Sequence, residues 1–394
     1  MLRPKLLLRP PRQARTIVVL GLAQTLAWAS TYYLPAMLAA PMARDLGVTT
    51  PTVFAAFSAA LVVAACVGPW AGRLIDRWGG RPVLLATSGL AALGLVLLAT
   101  AQGLLSLFAA WLVLGIVMGA GLYEAAFATL VRIYGHAARG PITGITLIAG
   151  FASTVGWPLS AWFEHVWGWR GACLAWAGLH LLIGVPLHFW LPAARADASA
   201  TESTDTVAPP RTECPARWTT ALLATAFAIT WFISTAMAAH LPQLLQVAGL
   251  GLAAAVFASA LVGPAQVAAR IGEFTLLRRL HPLLSARLAA LAHPLGTAAL
   301  LVIGAPAGIA FTILHGAGNG ILTVAKGTMP LAIFGPQGYG ARQGLLMVPA
   351  RIAQAVAPFA FGLALEGFGV QALWLTAGLG LLAWITLMRL RASA

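Results

Sequence analysis

Twelve apolar runs, each about 20 residues long, constrain this chain more than any other feature of its sequence. A helix needs about 20 apolar residues to cross the ~30 Å hydrocarbon core of a bilayer, and its backbone groups must be hydrogen-bonded within the segment. Only 9% of the residues are charged, whereas a soluble domain carries about 25%. We therefore predict an all-α integral membrane protein with twelve transmembrane helices, at roughly 16–39, 51–72, 83–102, 105–133, 140–163, 169–191, 218–240, 251–272, 284–304, 306–328, 344–365 and 371–390.

The net charge of +14 suggests a nucleic-acid partner, but the positions of the basic residues argue against one. The loops on one side of the predicted bundle hold little beyond Arg44 and Arg170. This is the positive-inside pattern, so we expect a multi-pass protein of the plasma (inner) membrane with both termini cytoplasmic. We therefore expect membrane lipid, and not nucleic acid, to surround the basic residues. The basic residues on the other side are Arg3, Lys5, Arg9, Arg12, Arg15, Arg73, Arg77, Arg81, Arg278, Arg279, Arg287, Arg389 and Arg391.

The cysteine, histidine, serine and acidic residues do not form a catalytic or metal-binding pattern. Three scattered cysteines are too few for a disulfide framework or a metal cluster. The sequence has no Walker A loop and no His/Glu or Ser/His pair at catalytic spacing within one helix. We expect no enzyme activity, no metal and no cofactor, and we expect the chain to act as a monomer.

A polar segment at 192–217 divides the twelve runs into six and six. It holds four of the ten acidic residues of the chain, together with Ser, Thr and Pro. Such a segment cannot bury enough apolar surface to order itself. We predict an N-terminal six-helix bundle at 1–191, a cytoplasmic linker at 192–217 and a C-terminal six-helix bundle at 218–394.

The two halves also repeat each other at a constant offset of 200 residues. Glycine and proline carry most of this signal, because they mark close helix packing and bends. Two parallel six-helix repeats imply a pseudo-twofold axis along the membrane normal, with a cavity between the halves. The pairs are Gly135 and Gly335, Gly140 and Gly340, Gly144 and Gly344, and Pro158 and Pro358.

A charged loop, from Gly72 to Pro82, interrupts the apolar pattern between the second and third runs. Gly72 lets two helices approach closely, and Asp76 can accept hydrogen bonds from a helix N-terminus. Arg77 and Arg81 hold the loop at an anionic leaflet. We predict that these four residues form a gate. An ordinary cytoplasmic loop that obeys the positive-inside rule is the alternative.

This loop resembles the motif between helices 2 and 3 of the major facilitator superfamily, and the plan of six plus six helices resembles that family over the whole chain. Gly80 stands where the family usually repeats a basic residue. The equivalent loop of the second half, at 274–281, lacks the Gly and the Asp. The resemblance implies the major facilitator fold and secondary transport by alternating access.

Three further features resemble the monocarboxylate transporter branch of that superfamily: GWRG at 168–171, YLP at 33–35 and QVAAR at 266–270. The last is similar to a pattern that binds carboxylate in that branch, with Gln266 in place of the acid of many members. Ala36 stands where animal members carry a Lys. The resemblance implies that the substrate is a carboxylate.

Gln266 and Arg270 lie one helical turn apart, so both side chains share one face of the eighth helix. We expect this face to bind the substrate. A guanidinium group presents a planar fork that grips a carboxylate with two hydrogen bonds. The alternative is that Arg270 pairs with Glu273 or with lipid phosphate, and Glu273 itself is expected at the membrane interface.

Ionisable residues inside the predicted spans are further candidates, since each costs at least ~2.5 kcal/mol at the bilayer centre. Glu124 is the one carboxylate well inside a predicted span, so we expect it to bind the coupling proton. Its permanent neutralisation by Arg132 or a hydroxyl is the alternative. Arg351 is a second candidate for binding an anionic substrate, whereas Arg132 and Lys326 are expected to snorkel to the cytoplasmic surface.

Uncharged polar residues complete the predicted site. His315 lies near the middle of the tenth span, and an imidazole titrates close to neutral pH. We expect it to be a second proton-coupling residue or, alternatively, a hydrogen-bonded packing residue. Asn319, one turn further on, is expected to contact substrate. Gln24, Trp28 and Tyr32 form a row on one face of the first span, which lines the cavity or else anchors the helix at the interface.

Three functions remain open at this point. The favoured one is a proton-coupled secondary transporter, symporter or antiporter, of a small organic anion, because buried cations outnumber buried carboxylates. The second is proton-driven efflux of drugs or other amphipathic compounds, for which 14 Trp, 16 Phe and Glu124 would suffice. The third is a polytopic receptor without transport, in which a moving loop would have no purpose.

Overall fold

The computed structural model of the protein describes residues 10–192, 217–277 and 282–390. Every regular element in these ranges is a helix, and the helices cover the positions of the twelve predicted spans. Seven helical stretches in these ranges are long and apolar enough to cross a membrane, and together they contain ten of these spans, all but the first and the eighth. The predicted linker lies almost wholly outside the described residues, as do Arg278 and Arg279. Breaks inside several spans divide them into shorter helices.

The first six spans follow the predicted order, with a sharp turn between spans 5 and 6 at Gly168. This glycine has a φ of 68°, which a side chain would disfavour. The helices are Pro10–Ser30 and Leu34–Asp45 (span 1), Thr50–Trp78 (span 2), Gly80–Ala99 (span 3), Leu104–Gly121 and Tyr123–Tyr134 (span 4), Arg139–Ala149 and the first part of Ala152–Leu179 (span 5), and the rest of Ala152–Leu179 with His180–Gly184 and Val185–Phe189 (span 6).

The second six spans repeat this arrangement. Gly135 and Gly335, which are 200 residues apart in the sequence, end spans 4 and 10 with φ values of 56° and 74°. The matching turns support the internal repeat. The helices are Arg217–Val247 (span 7), Leu252–Ala260, Val262–Gly272 and Glu273–Leu277 (span 8), Pro282–Ile303 (span 9), Gly308–Phe334 (span 10), Tyr339–Phe368 (span 11) and Leu373–Arg389 (span 12).

The two ends of the helical bundle differ in charge. The basic end carries the turns between spans 2 and 3, 4 and 5, and 10 and 11. At the opposite end, Arg170 forms an ion pair with Asp45 and donates a hydrogen bond to the carbonyl of Ala101 at 2.8 Å. These contacts tie together the three turns of the first half at that end.

Spans 2 and 11 cross at the basic end through facing glycines. Gly68 and Gly72 of span 2 lie against Gly344 and Gly340 of span 11. A methyl group on Gly72 or Gly340 would collide with the backbone of the facing span. The crossing therefore depends on the absence of side chains, and it joins the first half of the chain to the second.

Asp76 reinforces this crossing with two hydrogen bonds. Its carboxylate oxygens accept the backbone N–H groups of Gly340 and Ala341, each at 2.9 Å. These amides belong to the first turn of span 11, where unpaired N–H groups and the helix dipole favour a carboxylate. Arg77 and Arg81 instead lie over Trp78 and Phe189, two aromatic rings of the first half. Of the four predicted gate residues, Gly72 and Asp76 therefore contact the second half.

We predict that Gly340→Ala opens the basic end. The added methyl group would meet the backbone at Gly72 and lie 2.8 Å from Asp76 Oδ1. Overpacking of this kind costs about 1–3 kcal/mol. Distances between spin labels on the basic ends of spans 2 and 11 should shift toward longer values.

Gly140→Ala is the matched control for this experiment. Gly140 is the counterpart of Gly340 in the repeat, and no described atom lies within 4 Å of a Cβ placed on it. This variant should keep the wild-type distance distribution. The same distribution in Gly340→Ala would show that the glycine crossing does not hold the basic end closed.

Candidate functional site

Charged and aromatic side chains from both halves meet near the middle of the bundle. Electrostatic and ring contacts connect them into one group, which we call the central cluster. The cluster draws on spans 1, 4, 7, 8, 10 and 11. Its members are Trp28, Tyr32, Tyr123, Glu124, Trp231, Arg270, Lys326 and Arg351.

A break in span 4 positions Glu124. The helix ends at Gly121, Leu122 is extended, and a new helix begins at Tyr123. Gln24 of span 1 donates a hydrogen bond from Nε2 to the carbonyl of Gly121 at 2.7 Å, which pairs a group that the break leaves free. Glu124 thus lies in the first turn of the new helix, where the helix dipole favours its negative charge.

Glu124 forms an ion pair with Arg351 across the interface between the halves. Arg351 Nη2 donates to Glu124 Oε2 at 2.9 Å, and both side chains are largely buried. The expected alternative, neutralisation by Arg132 or a hydroxyl, is wrong because the partner comes from span 11. Sequence order gave no sign of this pairing, since the two residues lie in opposite halves.

Arg351 also starts a chain of hydrogen bonds that crosses the interface. Its Nη1 donates to Gln354 Oε1 at 3.1 Å, and Gln354 Nε2 donates to the hydroxyl of Tyr32, also at 3.1 Å. That hydroxyl lies 3.2 Å from Thr235 Oγ1 in span 7. Spans 1, 7 and 11 are therefore linked beside the ion pair.

Lys326 does not snorkel to the surface, so that prediction is wrong. Its side chain is only 3% exposed, and its ammonium lies 4.0 Å from the ring centroid of Trp231. Nζ has no hydrogen-bond partner in the described part of the chain. The lysine thus points at Trp231 of span 7, inside the bundle.

Aromatic rings form the wall of the cluster. The indoles of Trp28 and Trp231 are nearly parallel, with centroids 6.3 Å apart, and they come from opposite halves. Tyr32 and Tyr123 pack against Trp28 at 5.0 and 4.9 Å. Trp231, Tyr123 and Gln354 were missed at the sequence level. The available signal was the position of Trp231 in the middle of span 7, which is too deep for the aromatic belt at the membrane interface and therefore indicates a residue inside the bundle.

Arg270 is buried and already bonded to neutral acceptors. Nε donates to the carbonyl of Gly320 at 3.1 Å, Nη1 to the carbonyl of Thr146 at 2.7 Å, and Nη2 to Gln266 Oε1 at 3.0 Å. In this conformation the guanidinium joins span 8 to span 5 of the other half. The role of Arg270 and Gln266 in substrate binding remains a prediction.

Glu273 pairs with Arg139 and not with Arg270, so the alternative that joined Glu273 to Arg270 is wrong, whereas its place at the membrane interface stays a prediction. It is 4% exposed and accepts a hydrogen bond from Arg139 Nη2 at 2.9 Å. Arg139 opens span 5, so this ion pair is a further contact between the halves. Burial follows because span 8 packs against span 5 at this level.

His315 and Asn319 lie outside the central cluster. His315 Nδ1 is 3.1 Å from Nδ1 of His293 in span 9, and both imidazoles are buried. Together with Asn319 they line a crevice among spans 7, 9, 10 and 12. The proton-coupling role of His315 and the substrate role of Asn319 therefore have no geometric link to Glu124.

The conformation is closed around the ion pair. Glu124 and Arg351 border a cavity of about 10 Å³, the space of about one water molecule, whose other walls include small residues such as Gly119 and Gly344. Pockets that enclose drug-sized ligands are about 300–1,000 Å³. The halves also touch on both sides of the cavity, through the glycine crossing and through Tyr32. This is an occluded arrangement.

Comparison with known proteins identifies a family and several relatives that match parts of this chain. A family model described as Major Facilitator Superfamily matches residues 20–312. Monocarboxylate transporter 11 of Mus musculus is 35% identical over 157 residues, which are 39% of this chain and 33% of that protein. Monocarboxylate transporter 3 of Rattus norvegicus is 32% identical over 144 residues, covering 35% and 28%. The matches thus span about a third of the length of these curated relatives.

Solved structures show the same fold at low sequence identity. The proton:xylose symporter XylE aligns with a TM-score of 0.76 at 11% identity, covering 95% of each chain. FucP in an outward conformation aligns at 0.71 and 14%, covering 94% of this chain and 97% of that one. The human organic anion transporter MFSD10 aligns at 0.68 and 18%, covering 96% and 99%.

We predict that Arg270→Lys loosens the contact between spans 5 and 8. A single ammonium cannot reach three acceptors that surround a planar guanidinium. Each lost hydrogen bond to a charged group costs about 1.5–3 kcal/mol. Spin-label distances between the basic ends of spans 5 and 8 should lengthen.

Arg287→Lys is the control for a general loss of stability. Arg287 also donates to three backbone carbonyls, but these belong to span 12 of its own half, at Leu387, Met388 and Leu390. This variant should lower the melting temperature and leave the distance between spans 5 and 8 unchanged. Equal distance changes in both variants would contradict a specific role for Arg270 at the interface.

Proposed function

The chain belongs to the major facilitator superfamily, and from this membership we propose that it is a secondary transporter that moves a small organic anion together with a proton. The family consists of transporters and not of enzymes. The relatives named above include monocarboxylate transporters and an organic anion transporter. The observation that carries the proposal is the Glu124–Arg351 ion pair between the halves.

The charge balance of the central cluster supports an anionic substrate. Its described members include three cations, Arg270, Lys326 and Arg351, against the single carboxylate of Glu124. Uncompensated charge is costly inside a lipid-embedded bundle. An anion that enters the cluster reduces this imbalance, whereas a cation would increase it.

The ion pair supplies a physical reason for proton coupling. A proton on Glu124 removes the negative charge that holds Arg351. The guanidinium fork is then available to a substrate carboxylate, which it can bind with two charge-assisted hydrogen bonds. Proton and anion therefore favour each other's binding, which is the condition for symport.

The contacts between the halves suggest how access alternates. We assign the gate at the basic end to Gly72 and Asp76, and we place that end and both termini in the cytoplasm. The two six-helix halves would rock about the central cluster, with Arg270 released from span 5 as the basic end opens. Its guanidinium and Gln266 could then bind the carboxylate. Trp28 and Tyr32 would contact the organic part of the substrate.

We predict that Glu124→Gln abolishes uphill accumulation of the substrate. Glutamine preserves the shape of the side chain but cannot titrate, so the pH gradient no longer drives uptake. Exchange of labelled for unlabelled substrate should continue. The measurement is uptake of labelled monocarboxylates and dicarboxylates into proteoliposomes with an alkaline interior.

Glu366→Gln is the matched control, because Glu366 is exposed at the opposite end of span 11. It should accumulate acids as the wild type does. Accumulation by Glu124→Gln would exclude Glu124 as the coupling residue. If the wild type transports none of the acids but moves lipophilic cations against a proton gradient, the protein is a drug exporter.

A further inference from the structure

Three hydrogen-bond donors of the central cluster lack acceptors. They are Nζ of Lys326 and the indole Nε1 atoms of Trp28 and Trp231, which are unpaired among the residues that the structure describes. All three side chains are more than nine-tenths buried. Buried donors are almost always paired, with protein groups or with water. Three of them around one aromatic pair indicate that a ligand rich in acceptors belongs there.

The cations of the cluster differ in what they already bind. Glu124 neutralises Arg351, and neutral oxygens satisfy Arg270. Lys326 Nζ has no hydrogen-bond or ion-pair partner among the described residues; it lies over the face of Trp231 and is attracted by Glu124 only at longer range. A cation–π contact is worth about 0.5–2 kcal/mol, far less than the hydration that a buried ammonium gives up. Lys326 is therefore the group that most needs an anionic partner.

Lys326 and Arg351 are close enough to serve one small molecule. Both approach the ring of Trp231, with Lys326 Nζ at 4.0 Å and Arg351 Cζ at 6.0 Å from its centroid. The two side chains come from spans 10 and 11 of the same half. A ligand that reaches from one to the other would lie along Trp231, within reach of its N–H group.

We propose that the substrate carries two acidic groups, one bound by Arg351 and the other by Lys326 beside Trp231. This inference rests on the proposed function, because it requires that the chain transports anions. A monocarboxylate would leave the ammonium of Lys326 unpaired. A dianion pairs both groups, and its oxygens accept the indole N–H donors as well.

Binding of matched acids to the purified full-length chain tests this proposal. The probes are straight-chain dicarboxylates of three to six carbons, their monoamides and the monocarboxylates of equal length, at pH 7.5. The readout is the affinity obtained from ligand-dependent thermal stabilisation. The best dicarboxylate should bind at least about tenfold more tightly than its monoamide, as one charge-assisted hydrogen bond accounts for about that factor.

Substitutions at Lys326 locate the second acid site. Lys326→Gln should reduce the preference for the dicarboxylate over its monoamide by about tenfold. Lys326→Arg keeps the charge and should keep most of the preference. A preference that survives in Lys326→Gln, or a wild type that binds both acids equally, would overturn the proposal. Should Lys326→Gln fail to fold, the wild-type comparison still decides, and Trp231→Phe tests the contribution of the indole N–H.

The same data separate this inference from the proposed function. If the wild type binds monoamides and monocarboxylates with the same affinity as dicarboxylates, the proposal of anion transport stands and the dianion inference fails. If it binds no acid of any kind, the proposed function fails as well.

Discussion

The ion pair between Glu124 and Arg351 is the interaction on which the rest of the centre depends. It lies in a lipid-embedded bundle, where neither charge would be stable alone. Each partner belongs to a different half, so the pair exists only while the halves are together. The break in span 4 and the hydrogen bond from Gln24 hold Glu124 at the required position. Sequence features far from Arg351 thus determine whether this pair can form.

The closed basic end depends on two contacts of different physical character. The glycine crossing of spans 2 and 11 requires empty space, and Asp76 adds hydrogen bonds to the free amides of span 11. The second contact is made by Arg270, whose guanidinium N–H groups must point at the carbonyl oxygens of Thr146 and Gly320. Such contacts can break and form again without leaving a buried unpaired charge, because water reaches Asp76 and Arg270 once the basic end opens.

The sequence predicts the fold well and the site only partly. Run length decides which segments span the membrane, and Gly135 and Gly335 mark equivalent turns because positive φ selects glycine. The depth of Lys326 suggested snorkelling, but which face of a span points inward depends on its neighbours. The acceptors of Arg270 are mostly backbone carbonyls, which every residue possesses and no sequence pattern reveals. The pairing of Arg351 with Glu124 is unpredictable for a different reason, because the two residues lie in opposite halves of the chain and meet only in the folded structure.

The distribution of charge between the halves has a consequence for the transport cycle. Arg270, Lys326 and Arg351 all belong to spans 8 to 11, whereas Glu124 belongs to span 4. When the halves separate, the second half keeps the three cations and loses the one carboxylate. In the cycle that we propose, an anion in the centre would then remain with the second half, because the described members of the central cluster from the first half are Glu124 and aromatic side chains. Rocking of the first half away from this anion would expose it, and protonation of Glu124 would remove the charge that competes for Arg351.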